Sequence, residues 1–292
     1  MAPITAIIDK TNANDSVIKL FYATGKAQLG LSLWSGTKDA DPEAPIQPPQ
    51  EVGNGQYILN PSQMASINFQ GVERVFTLTT ENPFKVTPQD IHNISEISES
   101  KQKTLASVPI GNTTLAACRN EDNAWVYYSN TYFSGRCFME YNLQTSQRTE
   151  LAGTFGLWIN SFAAAYYDPA TDKRCLIYET SSLVEFVVGS DQPASAIQQA
   201  SDMQRNTPVG VVFENGKVFL YYCGRGDSGG IRRTIKTENG WQNSTLIDSR
   251  TISQDSQLTV VRANGINHLF FVARDQTEDE EEYFVHYPDE IS

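Results

Sequence analysis

Six stretches decide how this chain folds: P-I-T-A-I-I-D from Pro3, S-Q-M-A-S-I-N from Ser62, T-T-L-A-A-C-R from Thr113, S-F-A-A-A-Y-Y from Ser161, T-P-V-G-V-V-F from Thr207 and S-Q-L-T-V-V-R from Ser256. Each reads as a short strand, and their starts lie 46 to 59 residues apart. A period near fifty built on short strands marks a radial or stacked array. The fourth residue is small in every copy: Ala6, Ala65, Ala116, Ala164, Gly210 and Thr259. Strands crowded round a common axis need that taper, whereas a linear stack does not. The repeat therefore points to a ring.

A second, aromatic strand follows each copy: K-L-F-Y from Lys19, R-V-F-T from Arg74, W-V-Y-Y from Trp125, C-L-I-Y from Cys175, F-L-Y-Y from Phe219 and H-L-F-F from His268. Asn, Asp, Gly and Lys lie between the two strands, so each pair reads as a hairpin. Third strands are expected at Gln28 to Trp34, Arg136 to Asn142, Leu183 to Val188 and Glu282 to Tyr287. Fourth strands are expected at Thr104 to Ile110, Thr149 to Phe155 and Ser244 to Ser249. The fold class predicted is all-β, a six-bladed β-propeller of antiparallel blades spanning residues 1–292 as one domain. Blade six, with only Ser256 to Ser292 left to it, is expected to lack its outer strand.

Composition narrows the function classes. A net charge of −12 argues against nucleic acid and against anionic membrane surfaces as partners. No stretch approaches the length of a membrane span, and the N-terminus shows neither a basic segment nor a signal-length apolar run. Cys118, Cys137, Cys175 and Cys223 fall on different strands with no C-x-x-C pair, which reads as free thiols in a reducing, cytoplasmic compartment. The sequons at Asn14, Asn93, Asn112 and Asn243 are then unused. Three histidines and scattered cysteines make a transition-metal site unexpected, and no cofactor motif is present. The acidic run Glu278 to Glu282 lacks the alternating spacing of a calcium loop and reads as solvated. Ala194 to Met203 is the single candidate helix, and the Pro-rich insertion 39–55 reads as a packed rim. The sequence leaves the oligomeric state open, a dimer included.

Two motifs are decoys. Gly226 to Gly230 spells G-D-S-G-G, but none of the three histidines has the context a serine-protease base requires. Arg225 to Asp227 is an R-G-D triplet within the same turn.

The repeat resembles the fungal fucose-binding lectins, six-bladed propellers with a repeat of this length. The resemblance implies a second-strand arginine, a third-strand glutamate and a nearby Trp or Tyr holding each sugar, the ion pair on its hydroxyls and the ring on its C–H face. The arginine position is occupied by Lys19, Arg74, Trp125, Cys175, Phe219 and His268. The glutamate position reads Leu31, Glu96, Glu140, Glu185, Arg233 and Glu282. Blade two alone, with Arg74 and Glu96, keeps both, and I-S-E-S-K-Q-K after it offers no aromatic platform. A multivalent lectin repeats its sites, because avidity needs several of them.

Position seven of the first strand diverges instead: Asp9, Asn68, Arg119, Tyr167, Phe213 and Arg262. Unlike groups converging at one channel end describe a single small-molecule pocket, or simply strand ends facing solvent. The run T-A-I-I-D-K-T-N-A-N-D-S-V-I-K-L-F-Y from Thr5 and the degraded repeat also resemble fungal hetero-Diels–Alderases of tropolone–sesquiterpene pathways. That resemblance implies cofactor-independent dehydration of a hydroxymethyl tropolone to an o-quinone methide, then cycloaddition with a humulene-type alkene. Small hydrophobic substrates would be the partners. The expected roles are Arg119 and Arg262 on the tropolone oxygens, His268 or a tyrosine as acid, and Trp125, Tyr127, Trp158, Tyr167, Asn68 and Phe213 around the substrates. A propeller glycosidase, drawing two carboxylates from Glu140, Glu185 and Asp9, is a third reading.

Overall fold

The six repeated stretches form the innermost strands of six antiparallel sheets arranged in a ring: Ile4–Ile8, Met64–Phe69, Leu115–Arg119, Ala163–Asp168, Gly210–Glu214 and Thr259–Ala263. The computed structural model describes residues 3–12, 16–38, 44–53, 57–81, 91–97, 102–132, 135–274 and 284–291. Each innermost strand pairs with a second strand: Val17–Ala23, Val72–Thr80, Ala124–Tyr132, Lys173–Glu179, Lys217–Cys223 and Ile266–Val272. Third strands follow at Leu29–Ser35, Ile91–Ile97, Gly135–Asn142, Leu183–Val187, Ile231–Thr237 and Phe284–Asp289. The ring closes where Ile4–Ile8 packs beside Thr259–Ala263.

Outer strands are Gln47–Glu51, Gln102–Pro109, Arg148–Leu151 and Ser195–Ala196, with Gly240–Trp241 and Thr245–Leu246 sharing the edge of blade five. Blade six has three strands among the described residues, as its shortage of chain predicts. The Pro-rich insertion proves to supply blade one's outer strand. The candidate helix over Ala194 to Met203 does not form; that stretch is an edge strand followed by a three-residue 3-10 turn, Gln198–Ala200. Ile197, Ala200 and Met203 are buried there, so apolar residues at helical spacing serve a packed connection instead. No helix among the described residues is long and apolar enough to cross a membrane.

Local chemistry sets the hairpins. Gln70-Gly71, Asn215-Gly216 and Asn264-Gly265 close two-residue turns with both residues at positive φ, the turn whose twist suits antiparallel strands. The strands then bury alternate faces against the two neighbouring blades. Six apolar clusters result, one per blade interface. Ile7, Phe21 and Leu29 meet Met64, Val75 and Ile97 between blades one and two, and Tyr127 and Phe138 meet Leu176 and Tyr178 between three and four. Each fully buried Leu or Phe contributes about 2 kcal/mol, so the ring rests on these interfaces rather than on one central core.

Cross-strand register corrects the repeat in blade one. Ala65 pairs with Phe76, Ala116 with Tyr127, Ala164 with Ile177, Gly210 with Tyr221 and Thr259 with Phe270. The matching pair in blade one is Thr5 with Phe21, which makes Thr5 the fourth residue and Ile8, not Asp9, the seventh. The run I-T-A-I-I is buried throughout, so it lacks the alternation that would fix its register.

One end of the axis is occupied by two buried glutamines. Gln63 accepts hydrogen bonds from the backbone N–H of Leu115 (3.1 Å) and Ala163 (3.0 Å), and its amide donates to the Ala163 carbonyl (3.2 Å). Gln257 accepts from Ile4 (3.2 Å) and Met64 (2.9 Å) and donates to the Met64 carbonyl (2.7 Å). Each ties its own blade to the next two.

Candidate functional site

Towards the middle of the axis the strands enclose a small space of about 110 Å³, lined by the small fourth residues Thr5, Ala65, Ala116, Ala164, Gly210 and Thr259. Above it the channel widens into a cavity of about 370 Å³. Its wall includes Ile8, Asn68, Arg119, Tyr167, Phe213 and Arg262, the seventh residues in corrected register. Asp9 does not line it. Its carboxylate accepts from Thr11 and lies 3.3 Å from the Lys19 ammonium.

The expected pocket residues thus divide in two. Asn68, Arg119, Tyr167, Phe213 and Arg262 come together at the cavity. The Asn68 amide donates to the Ile8 carbonyl at 2.9 Å, and the Tyr167 hydroxyl donates to Asp172 at 2.7 Å. Phe213 stacks on Tyr166 at 5.8 Å, and Arg262 binds Asn267 at 2.7 Å and forms an ion pair with Glu214. The other four are elsewhere. Tyr127 is fully buried between blades three and four, where burial pushes its hydroxyl well above the usual tyrosine range. Trp125 lies behind Tyr167 (6.5 Å between rings) under the Arg174 guanidinium (4.6 Å). Trp158 sits outside the cavity, in the segment joining blades three and four, against Arg205 at 4.5 Å. His268 is wholly buried between blades six and one, and that burial lowers its pKa to about 4. Sequence shows which strand carries a residue but not which interface its face meets.

Register also fixes the lectin-like positions. Partners of the fourth-residue partners on third strands are Leu31, Glu96, Glu140, Glu185, Arg233 and His286. His286 therefore replaces Glu282 in blade six; Glu282 and the acidic run lie outside the described residues. At five of the six interfaces these positions are consumed by protein. Lys19 binds Glu73 at 2.8 Å; though burial opposes it, Glu73 and Asp9 hold its ammonium above the usual lysine range. Glu140 is engaged by Arg174, and Glu185 by Lys236 and the Tyr166 hydroxyl. Arg233 Nη1 donates to both carboxylate oxygens of Asp289 at 2.6 Å, while Arg262 covers Phe219 at 5.0 Å. His268 Nδ1 and His286 Nε2 meet at 2.8 Å. The three carboxylates expected of a glycosidase are all among these engaged groups.

Blade two differs. Arg74 Nη1 lies 2.7 Å from Glu96 Oε1, both side chains remain partly exposed at 24% and 19%, and among the described residues none of another blade bonds to the pair. Phe69 backs the guanidinium at 5.9 Å. Arg74 Nε is buried without a hydrogen-bond partner.

The ring of six antiparallel blades matches solved lectin structures. AofleA from Arthrobotrys oligospora superposes with a TM-score of 0.66 at 14% identity, covering 99% of this chain and 86% of its own. The SapL1 lectin in complex with alpha methyl fucoside gives 0.63 at 14% identity, covering 98% and 92%. The lectin of Aleuria aurantia, described as a six-bladed β-propeller with a novel fucose recognition mode, gives 0.60 at 14% identity, covering 100% and 97%. The chain has the fold of the fungal fucose lectins. No protein-family model matches it, and no curated protein matches it in sequence. Within this lectin fold, Cys118, Cys137, Cys175 and Cys223 are free and buried, and burial pushes the Cys118 thiol up to about 12. The G-D-S-G-G turn of the same lectin-like ring is built by Arg232, which binds Asp227 and lies 3.1 Å from Asp202. Sequence reasoning missed Gln63 and Gln257. Glutamine at the second position of only two repeats was the signal available.

Proposed function

We propose that the protein recognises a fucoside-type sugar at one site, on blade two. The observation that carries this reading is the Arg74–Glu96 pair, which stands at the lectin register and is left unengaged by neighbouring blades. A partly exposed guanidinium beside a partly exposed carboxylate supplies both donors and acceptors for adjacent hydroxyls. Blades one, three, four and five have spent the equivalent groups on inter-blade bonds, and blade six joins His268 to His286 within itself, so binding is monovalent and agglutination is not expected. Titration of methyl α-L-fucoside into the protein and into Arg74→Ala tests this. Binding by the parent and loss in the variant supports the reading; equal binding by both, or no binding by the parent, overturns it.

A second reading is favoured by the 370 Å³ cavity, which is of small-molecule size and is lined by non-repeating residues. Here the resemblance to the hetero-Diels–Alderases supplies the chemistry. The hydroxyl of a tropolone's hydroxymethyl group leaves as water together with the proton of the neighbouring ring hydroxyl, its CH2 carbon becomes the exocyclic methylene of an o-quinone methide, and that species adds to an alkene of a humulene-type partner. Arg119 and Arg262 would hold the tropolone oxygens, and Tyr167 takes the acid role in place of the buried His268. Phe213 and Ile8 supply apolar wall that keeps water from the intermediate. No cofactor is needed, and four buried free thiols fit a cytoplasmic setting. Incubation with both partners tests it: adduct formation lost in Arg119→Ala supports it, and a rate equal to that without protein overturns it.

A further inference from the structure

The wall of the channel-mouth cavity carries a charge opposite to that of the protein. The chain has 34 acidic and 22 basic residues, yet among the described residues the cavity is lined by Lys10, Arg119 and Arg262 and by no Asp or Glu. Arg262 is neutralised by Glu214. Arg119 is not neutralised: among the described residues it forms no ion pair, and its one hydrogen bond is a long 3.5 Å contact from Nη1 to the Asn120 carbonyl. Every arginine at the lectin-like positions and beside them is by contrast paired, Arg74 with Glu96, Arg174 with Glu140 and Arg233 with Asp289. Facing Arg119 round the same ring are Tyr167, Phe213 and Ile8, an aromatic and aliphatic wall.

From this asymmetry we infer that the channel mouth binds a small planar organic anion, its ring against Tyr167 and Phe213 and its charged oxygens on the Arg119 guanidinium. A guanidinium without a carboxylate partner presents a planar fork that matches two adjacent oxygens. A cleft lined by one sign of charge with apolar walls concentrates ions of the other sign, and the surrounding negative surface sharpens the contrast by repelling anions from everywhere else. The size limit follows from the 370 Å³ available, enough for a one- or two-ring molecule. This assignment rests on the channel mouth being a ligand site, the second reading above, and adds the charge class of what enters it.

The test compares 2-naphthoate with its neutral amide, 2-naphthamide, by calorimetry on the full chain at pH 7 and two salt concentrations. The expected result is naphthoate binding at least tenfold tighter than naphthamide, with the advantage shrinking at high salt. Arg119→Ala should abolish that advantage by weakening naphthoate at least tenfold more than naphthamide, and because Arg119 is exposed at a strand end its removal disturbs no packing. Phe213→Ala should weaken both probes, which locates them in the cavity. Equal affinity of the two probes overturns the anion assignment and leaves the cavity reading standing. Absence of binding by either probe overturns both. An anion preference that survives Arg119→Ala overturns the assignment of Arg119.

Discussion

Arg74 on blade two and Trp125 on blade three occupy the same register position, and they differ in where their ionic partners come from. Around Trp125 the cation has moved to the next blade as Arg174, which stacks on the indole and binds Glu140. Groups of the same kinds are present, but they satisfy each other. At Arg74 the carboxylate comes from the same blade, and the Nε has no partner. Two substitutions should therefore behave oppositely. Arg74→Ala should abolish methyl fucoside binding with little change in unfolding midpoint. Arg174→Ala should leave that binding intact and lower stability by about 1–3 kcal/mol, discounted from a fully buried pair because Arg174 is 23% exposed. Calorimetry and urea unfolding on both variants separate these outcomes; a reversed pattern would place the sugar site at the wrong interface.

At the scale of elements, the strands were legible and their faces were only partly so. Periodic apolar runs, N-G turns and the small fourth residue gave six blades and a three-stranded last blade. The I-T-A-I-I strand misled because every residue in it is apolar or small, so Ala6 looked like the axial residue that Thr5 is. His268 and Tyr127 look like site residues in the sequence, yet their faces turn into blade interfaces. The glutamines at the second position of two repeats carry no pattern that marks them in the sequence, though each joins three blades. Gln63→Ala would leave two backbone N–H groups and a carbonyl unpaired at the axis, so an equilibrium unfolding loss of about 2–4 kcal/mol is expected. A loss below about 0.5 kcal/mol would mean that water takes over those bonds.

For the whole molecule, ring closure between blades six and one carries a pH signature. His268 and His286 share one hydrogen bond, so one ring must donate while the other accepts, and Trp34 and Phe270 enclose them. Burial holds His268 neutral with a pKa of about 4, whereas the unfolded chain protonates it near 6.5. The unfolded state then binds more protons, so the stability is fully present above about pH 6.5 and is lost as pH falls towards 4. Between pH 7 and 5 this group should cost about 2 kcal/mol in urea unfolding relative to His268→Gln, a reference that cancels the carboxylates titrating in the same window, the buried Glu179 with its raised pKa among them; a profile no steeper than that of the variant would contradict its burial. The same ring that repeats its architecture sixfold has kept one lectin-like pair, and that is the central claim. Its most direct measurement is the stoichiometry of methyl α-L-fucoside by isothermal titration: one site per chain, lost in Arg74→Ala, is the predicted result, and several equivalent sites per chain, or none, would contradict it.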